Sequence, residues 1–359
     1  MATVLRDVRV FDGEGFSEPR DIAVEDGVIV DTAGPDADIF DGAGGYLVPG
    51  LIDCHIHLAG PHTQVMLATA GVTTALDMSS PAPLVNAMRG RSGVTDIRSA
   101  MMATTAASSA HAQRLKHIPA AQEAIVDGVD DAEDAIARRV EQGADYIKIV
   151  IDLPGFDLAT VNALVAAAHA RGLRTVAHAS RWDAVAMAES AGVDVLTHVA
   201  LDRPIDREQA ERLAASGAIV VPTLTMMKGI VEGLPVASAP GLSYPSARES
   251  VQQLHGAGVP ILAGTDANET PGAPASPVFG SSLHDELELL VEAGLTPVEA
   301  LQSATSVAAA HFGLDDRGVI TVGKRADLVL LGADPTTDIT ATRSIRGVWL
   351  GGERVMRDA

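Results

Sequence analysis

The sequence predicts an α/β protein with a TIM-like (β/α)8 barrel, and three observations support this prediction. Eight apolar, strand-like runs alternate with amphipathic stretches rich in alanine and leucine between residues 49 and 316, a pattern typical of parallel strands connected by helices. Five of the amphipathic stretches end in glycine, which readily takes the left-handed conformation that terminates a helix. The two chain ends carry short alternating runs and turns, as β-hairpins do. A doubly wound parallel sheet is the alternative for the central part.

The predicted strands follow one another through the central part of the chain. They comprise residues 47–55, 72–78, 97–104, 146–151, 174–178, 193–198, 218–222 and 259–265. The helices before five of them are predicted to end at Gly143, Gly172, Gly192, Gly217 and Gly258. Eight such βα units are the number that closes a barrel.

The domain organisation follows from this pattern. Residues 1–48 and 317–359 are predicted to form one small β-sandwich from both chain ends, which brackets the barrel of residues 49–316. The connections 223–246 and 267–280 are rich in glycine, proline, serine and alanine, and they follow the last two predicted strands. They are candidates for lids over a site, with ordinary surface loops as the alternative.

Composition limits the partners and the compartment. The 359 residues include 47 acidic and 26 basic side chains, a formal net charge of −21, which argues against nucleic acid and against anionic membrane surfaces. No apolar run is long enough for a membrane span, and residues 1–10 alternate like a strand rather than a signal peptide. With Cys54 as its single cysteine, the chain is expected in the cytoplasm. A small-molecule substrate is the expected partner, and homo-oligomerisation is left open.

Side chains of the types that bind metals lie at the ends of several predicted strands. His55 and His57 end the first strand, His178 ends the fifth, His198 ends the sixth, and Asp266 follows the eighth. The carboxyl ends of barrel strands form one rim, so these residues become neighbours in the fold. Imidazoles and carboxylates suit Zn²⁺ and related divalent ions. The alternative is that the His-x-His pair is simply hydrogen-bonded near a strand end.

Lys148 lies in the middle of the fourth predicted strand. Alternation places it on the inward face with Tyr146 and Val150, and the chain has only four lysines among its 26 basic residues. A buried, unpaired ammonium is costly and loses its proton readily. The neutral amine can react with CO₂ to give a carbamate that bridges two cations. The alternative is an ion pair of Lys148 with Asp77 or Asp266.

A family resemblance extends over essentially the whole chain. It is carried by the segments 48–57, 143–148, 264–266, 282–300 and 318–330, together with His178 and His198. The first of these reads Val-Pro-Gly-Leu-Ile-Asp-Cys-His-Ile-His and the third Gly-Thr-Asp. With these motifs the sequence resembles the amidohydrolase superfamily of metal-dependent hydrolases, in its prolidase-like and imidazolonepropionase-related branch.

The resemblance implies a site with two divalent metal ions, expected to be zinc. His55 and His57 would bind the more buried ion, and His178 and His198 the more exposed one. Carboxylated Lys148 would bridge the two ions, and Asp266 would serve both as a ligand and as the catalytic proton shuttle.

The implied reaction is attack of a metal-bridging hydroxide on an amide-type C–N bond. A prolidase-like dipeptide or an N-acyl amino acid is the expected substrate. Three alternatives remain: a mononuclear deaminase of a heterocycle, an ester, lactone or phosphotriester hydrolase with the same two metals, and a non-catalytic scaffold. Against the deaminase, His178 has no adjacent glutamate and Lys148 would have no role; against the scaffold, all six ligand-type residues are present.

Several other residues are candidates for lesser roles. Three histidines are candidates for substrate contacts: His62, His111 and His117. Four histidines in helical stretches are predicted to be structural: His169, His255, His284 and His311. Arg181 is a candidate for gripping a substrate carboxylate, although Ser180 is predicted to cap the next helix, which would leave Arg181 in its solvated first turn. Tyr244, in the connection after the seventh predicted strand, has the same two alternatives of a substrate contact or a solvated position. Cys54 is predicted to pack against the helices.

Overall fold

The computed structural model describes residues 2–233 and 241–355 of an α/β protein. Its strands form three sheets. Strands from both chain ends build one seven-stranded sheet: β1 (Ala2–Val10), β2 (Arg20–Glu25), β3 (Val28–Val30), β4 (Asp38–Pro49), β12 (Leu328–Leu331), β13 (Ile345–Leu350) and β14 (Glu353–Arg354). Their order is β14-β13-β12-β4-β1-β2-β3. The two chain ends therefore associate as the sequence predicted.

Strand pairing places strands from the two ends of the chain side by side. β1 runs parallel to β4, and β12 runs antiparallel to β4 with Leu47 opposite Leu330. One apolar cluster consists of side chains from this sheet and its connections, and Leu5, Leu328 and Trp349 are among its buried members. The sheet thus has a core of its own, separate from that of the central part.

The central strands form two parallel sheets. The first contains β5 (Leu51–Ile56), β6 (Val72–Asp77) and β7 (Asp96–Ser99); the second contains β8 (Ile147–Val150), β9 (Thr175–His178), β10 (Val195–Thr197) and β11 (Ile219–Val221). The helices are α1 (Pro61–Thr69), α2 (Ala82–Met88), α3 (Ala110–Leu115), α4 (Val129–Gln142), α5 (Leu158–His169), α6 (Trp182–Ser190), α7 (Arg207–Ser216), α8 (Leu224–Gly233), α9 (Tyr244–Gly256), α10 (Ser281–Glu292), α11 (Pro297–Ser303) and α12 (Ser306–His311). Short 3-10 helices lie at Pro119–Ala124 and Ile339–Arg343.

Isolated parallel bridges connect the two central sheets. Thr104 bridges to Ile149, Val220 to Ile261, and Ile56 to Ala267. The predicted eighth strand, residues 259–265, makes such single bridges rather than a regular ladder. It nevertheless lies between β11 and β5, because the backbone N–H of residue 262 donates to Val220 and that of Cys54 to residue 263.

Side chains of the central strands alternate between two apolar clusters. Ile147, Ile149 and Ile151 pack among the helices, whereas Tyr146 belongs to a second cluster that draws on all eight strand segments. That second cluster includes Ile52, Cys54, Leu76, Met78, Ala100, Val176, Val195, Ile219, Val221 and Leu262. The predicted inward direction of Lys148 is confirmed, since it lines a cavity together with Val150.

The predicted orientation of Cys54 is wrong. Its fully buried side chain belongs to the cluster drawn from all eight strand segments and α12, and not to the larger cluster that contains residues of the other helices. The cause is an irregularity in β5, where the pairing register with β6 shifts between Asp53 and Ile56. A shift of one residue reverses the face on which side chains lie, so simple alternation fails along this strand.

Several predicted boundaries also need correction. The first predicted strand is interrupted at Gly50, where a Cβ atom would lie 2.1 Å from Thr73 Oγ1. β7 ends at Ser99 rather than at residue 104. The predicted loop 223–246 contains α8 and the first residues of α9, and its residues 234–240 lie outside the described part. The five predicted glycine stops are confirmed, because all five have φ between 70° and 91°.

Within the described residues, no helix combines the length and apolar character needed to cross a membrane.

Candidate active site

Three side chains from the first and last central strand segments meet at one point. His55 Nε2 and His57 Nε2 lie 3.3 and 3.0 Å from the same oxygen, Asp266 Oδ1. The candidate ligand atoms of the three residues all lie within 4.8 Å of one another. Ligands about 2.0–2.1 Å from a tetrahedral ion are roughly 3.3 Å apart. The three residues therefore present donors of the types that bind divalent cations such as zinc, close enough together to be a candidate metal site.

Hydrogen bonds between distant segments hold this group in place. The backbone N–H of Asp266 donates to the carbonyl of His55 at 2.7 Å. The buried Asp53 carboxylate accepts from Thr265 N at 3.0 Å and from Thr265 Oγ1 at 2.7 Å, and burial raises the pKa of Asp53 to about 7. β5 is thereby tied to the segment that ends at Asp266.

Three non-glycine residues near the site have positive φ: Asp266 at 58°, His198 at 69° and Thr223 at 48°. Such values are uncommon for residues with a side chain and cost energy. His198 directly follows β10, and Thr223 lies two residues beyond β11. Strained backbone is therefore concentrated where the strands end.

The other two predicted histidine ligands lie beside this group. The ring centroids of His178 and His198 are 4.4 Å apart, and those of His198 and His55 are 5.0 Å apart. Thr223 Oγ1 lies 2.7 Å from Nδ1 of His198, which leaves Nε2 of His198 as its available ligand atom.

Burial keeps most of these imidazoles neutral, the form that binds metals. It lowers the pKa of His55 and of His198 well below the ordinary value, and that of His178 to about 4. Burial also acts to lower the pKa of His57, but the hydrogen bond and charge of Asp266 outweigh it and raise that pKa. His55 Nδ1 is buried and has no hydrogen-bond partner among residues 2–233 and 241–355.

Lys148 is buried in β8, and its Nζ donates a hydrogen bond to Thr197 Oγ1. No carboxylate in the described part of the chain forms an ion pair with it. Asp77 instead accepts from Ser80 Oγ at 2.6 Å and from Ser99 Oγ at 2.5 Å, which contradicts the alternative of a Lys148–Asp77 ion pair. Burial lowers the pKa of Lys148 to about 7, against the opposing charge of Asp266.

All six predicted metal ligands line one cavity of about 310 Å³. They are His55, His57, Lys148, His178, His198 and Asp266. Asp152, two residues beyond β8, lines it as well and lies 3.6 Å from His178 Nε2. Since hydrolysis at a pair of metals needs such a ligand set beside a space for substrate, the arrangement is suited to that chemistry.

The other candidate residues divide into two groups. His111 and Arg181 line the cavity. His62 is exposed and lies 3.2 Å from Glu269, His117 is exposed, and Tyr244 begins α9. The capping prediction needs correction: Arg181, rather than Ser180, occupies the N-cap position of α6.

The four histidines predicted to be structural have partners or positions that agree with that prediction. His169 lies 2.8 Å from Asp194, and His255 lies 3.2 Å from Glu299. The buried His284 lies 3.0 Å from Thr342 Oγ1, and His311 ends α12.

The sequence analysis missed several residues that surround the site: Asp53, Arg114, Asp152, Thr223 and Glu286. Asp152 could have been found by the rule that identified the histidines, because it follows the end of a central strand. Glu286 could not, because it acts on a helix far away in sequence. Its buried carboxylate accepts from Leu224 N at 2.9 Å and from Thr225 N at 2.7 Å, at the start of α8.

Comparison with known proteins gives a consistent result. The amidohydrolase family model matches residues 46–355. The chain is 28% identical to the imidazolonepropionase of Deinococcus deserti over 386 aligned positions, which cover 92% of this chain and 91% of that protein.

Solved structures show the same architecture. A prolidase complexed with N-methylphosphonate-L-proline is 25% identical with a TM-score of 0.84, and the match covers 100% of both chains. A Xaa-Pro dipeptidase with bound methionine is similar in fold, with 21% identity, a TM-score of 0.84 and 99% of each chain covered. This chain belongs to the amidohydrolase family, in the branch that includes prolidases and imidazolonepropionases, and is a hydrolase that acts on carbon–nitrogen bonds.

Proposed function

We propose that this protein is a binuclear metal-dependent hydrolase that cleaves an amide-type C–N bond in a small substrate, such as a prolidase-like dipeptide or an N-acyl amino acid. One observation carries the proposal: His55, His57 and Asp266 present ligand atoms within 4.8 Å of one another in a cavity that is also lined by His178, His198 and Lys148.

The residues divide between two ions, expected to be zinc. His55, His57 and Asp266 would hold the more buried ion, and His178 and His198 the more exposed one. Lys148 would link them as a carbamate, because its buried Nζ has a hydroxyl partner in Thr197 and no ion-pair partner among the described residues. A carbamate there would supply the negative charge that two cations require.

Asp266 is the proposed proton shuttle. When bound, the two metal ions activate a water molecule and polarise the substrate carbonyl. Asp266 would accept the proton of that water and deliver it to the leaving nitrogen. Its Oδ1 lies 3.3 and 3.0 Å from Nε2 of His55 and of His57, and its backbone N–H donates to the carbonyl of His55, so the carboxylate is held beside the proposed metal ligands.

The finer features of the fold belong to the same proposal. We infer that the eight strand segments close into a (β/α)8 barrel, because bridges join the sheets at Thr104, Val220 and Ile56 and one cluster contains side chains from every strand segment. The terminal sheet is inferred to fold over its own core as a β-sandwich, with the domain limits 1–48, 49–316 and 317–359. With one buried cysteine, a cytoplasmic enzyme is proposed.

Metal content tests the proposal most directly. We expect about two ions per chain in the wild-type protein purified with bicarbonate, and one or fewer in Lys148→Ala, with loss of amide hydrolysis. Metal content is measured by plasma emission spectrometry alongside activity. Lys324→Ala serves as the matched control, because Lys324 bonds to the carbonyl of Asp315 far from the cavity. Saturation of the wild type at one ion would instead favour the mononuclear deaminase.

A further inference from the structure

Two arginines line the cavity without an acidic partner. Arg114 and Arg181 both border it, and within residues 2–233 and 241–355 neither forms an ion pair. Elsewhere Arg171 pairs with Glu133 and Arg212 with Glu189. In a chain with 47 acidic and 26 basic side chains, these two exposed guanidinium groups give one cavity two cations that are available to bind an anionic ligand.

Arg114 is held over the cavity by the docking of its helix. α3 places His111 and Arg114 three residues apart on one face, and both line the cavity. The backbone N–H of His111 donates to Asp152 Oδ2 at 3.0 Å, and the Ser109 side chain caps the helix by accepting from Ala112 N. The Asp152 carboxylate is thereby occupied by the backbone of α3. The helix that carries Arg114 is thus fixed near the end of β8, and the exposed guanidinium of Arg114 is left without an ion pair among the described residues.

Arg181 approaches from the neighbouring strand. It follows His178, the last residue of β9, by three positions and precedes α6. Its side chain is exposed at the cavity rim. The two arginines therefore extend from the connections after β7 and β9, on either side of the connection after β8.

The wall of the cavity formed by the connections after β11 is apolar. Met226, Met227 and Ile230 of α8 line it together with Leu242. Methionine side chains are flexible and polarisable, so they adapt to apolar groups of different shapes. The cavity thus has a cationic side and an apolar side, with the proposed metal ligands beneath both.

We propose that this cavity selects N-acyl amino acids, with the substrate carboxylate bound by Arg114 and Arg181 and the apolar acyl chain packed against Met226, Met227 and Ile230. The inference rests on the proposed function for the bond that is cleaved. Guanidinium groups bind carboxylates through two parallel hydrogen bonds, so arginine side chains are well suited to hold the carboxylate of such a substrate. A dipeptide would instead place a charged ammonium against the methionines, at a desolvation cost.

The reaction is a hydrolysis that needs no further reactant. The oxygen of one water molecule bonds to the acyl carbon, the C–N bond breaks, and the amide nitrogen gains a proton. The products are a fatty acid, released from the apolar side, and a free amino acid, released from the arginine side.

Kinetics with matched probes test the arginine subsite. The probes are N-hexanoylglycine and N-hexanoylglycinamide, which differ only in the carboxylate. For the zinc-loaded wild type we expect kcat/KM to be at least tenfold higher for the carboxylate. In Arg114→Met/Arg181→Met that preference should fall below about threefold, because kcat/KM for the carboxylate drops more than kcat/KM for the glycinamide. Arg138→Met is the control, since Arg138 lies on α4 and pairs with Asp131 at 3.7 Å.

Calorimetric binding of the same two probes, and of N-acetylglycine, separates the two proposals. Selective binding of N-hexanoylglycine by the wild type, lost in the double variant, would support the subsite whether or not the probe is hydrolysed. Binding without hydrolysis of any probe would overturn the proposed hydrolase reaction on this substrate class. Hydrolysis of both hexanoyl probes at equal rates, unaffected by the double variant, would overturn the subsite and leave the hydrolase. N-acetylglycine bound as tightly as N-hexanoylglycine would overturn the apolar acyl site. If the protein neither binds nor hydrolyses any of the three probes, both the subsite and the proposed hydrolase reaction on this substrate class are overturned.

Discussion

Asp266 occupies a backbone conformation, with φ of 58°, that few residues with a side chain adopt. Its neighbour Thr265 donates hydrogen bonds to Asp53, and Nε2 of His55 and of His57 lie 3.3 and 3.0 Å from Asp266 Oδ1. The surrounding hydrogen bonds therefore compensate an unfavourable conformation, and the result is a carboxylate in one defined position. Such a position suits a group that must move a proton between two fixed atoms.

Asp266→Asn separates the two roles proposed for this residue. The amide keeps an oxygen for the metal and for the imidazoles but cannot accept the proton. We expect metal content to stay unchanged and kcat to fall by about 100-fold or more. Amide hydrolysis and metal content are measured on the same preparation, with Asp183→Asn on the exposed first turn of α6 as control. Full activity of the variant would rule out Asp266 as the proton shuttle.

At the scale of residues, the sequence predicted which side chains line the site better than it predicted the direction in which side chains point. Residue types and strand-end positions selected five of the six ligand candidates that line the cavity, and the inward direction of Lys148 in the middle of its strand selected the sixth. Alternation did not predict the direction of Cys54, because the register shift in β5 depends on pairing with another strand. The bond between Thr223 and His198 was likewise invisible, since it requires a turn with positive φ in the connection after β11.

At the scale of elements, α8 is the clearest departure from expectation. Its segment was predicted to belong to a loop because residues 223–246 are rich in glycine, proline, serine and alanine. The helix is instead capped from outside by Glu286 of α10, which accepts from Leu224 N, Thr225 N and Thr225 Oγ1. The helix propensity of the α8 residues contains no information about a capping side chain on another helix. α8 supplies the apolar side of the cavity, so this cap also supports the substrate wall.

Glu286→Ala should therefore destabilise the protein strongly. It would leave the buried donors at the start of α8 without partners, and each buried unsatisfied group costs about 1–3 kcal/mol. We expect the free energy of unfolding to fall by about 3 kcal/mol or more, with a smaller loss for Glu286→Gln, which retains one acceptor. Urea denaturation measures both. Glu288→Ala on the same helix is the control, and an equal loss there would contradict the capping role.

At the scale of the whole molecule, the proposed metal ligands tie distant parts of the chain together. His55 and His57 belong to the first central strand and Asp266 follows the last, so an ion held by all three would bridge the beginning and end of the central unit. A ligand that binds only the folded state stabilises it by RT ln(1 + [L]/Kd).

Removal of metal should therefore lower the melting temperature. We expect the chelated protein to melt several degrees below the zinc-loaded protein, and the difference to shrink in His55→Ala/His57→Ala. Calorimetry of both forms at equal protein concentration provides the measurement. His169→Ala, which loses only a partly exposed pair with Asp194, should keep the full difference. A melting temperature independent of zinc in the wild type would contradict metal binding at this site.

The terminal sheet has a consequence for biosynthesis. β4 pairs with β12 through Leu47 and Leu330, so β4 acquires this partner only after the whole central part of the chain has been made. Until then β4 has an open edge, the kind of surface on which unfinished chains associate with one another. The sheet can therefore be completed only after the central part of the chain has been synthesised, and this edge of β4 is the one that must be protected until then.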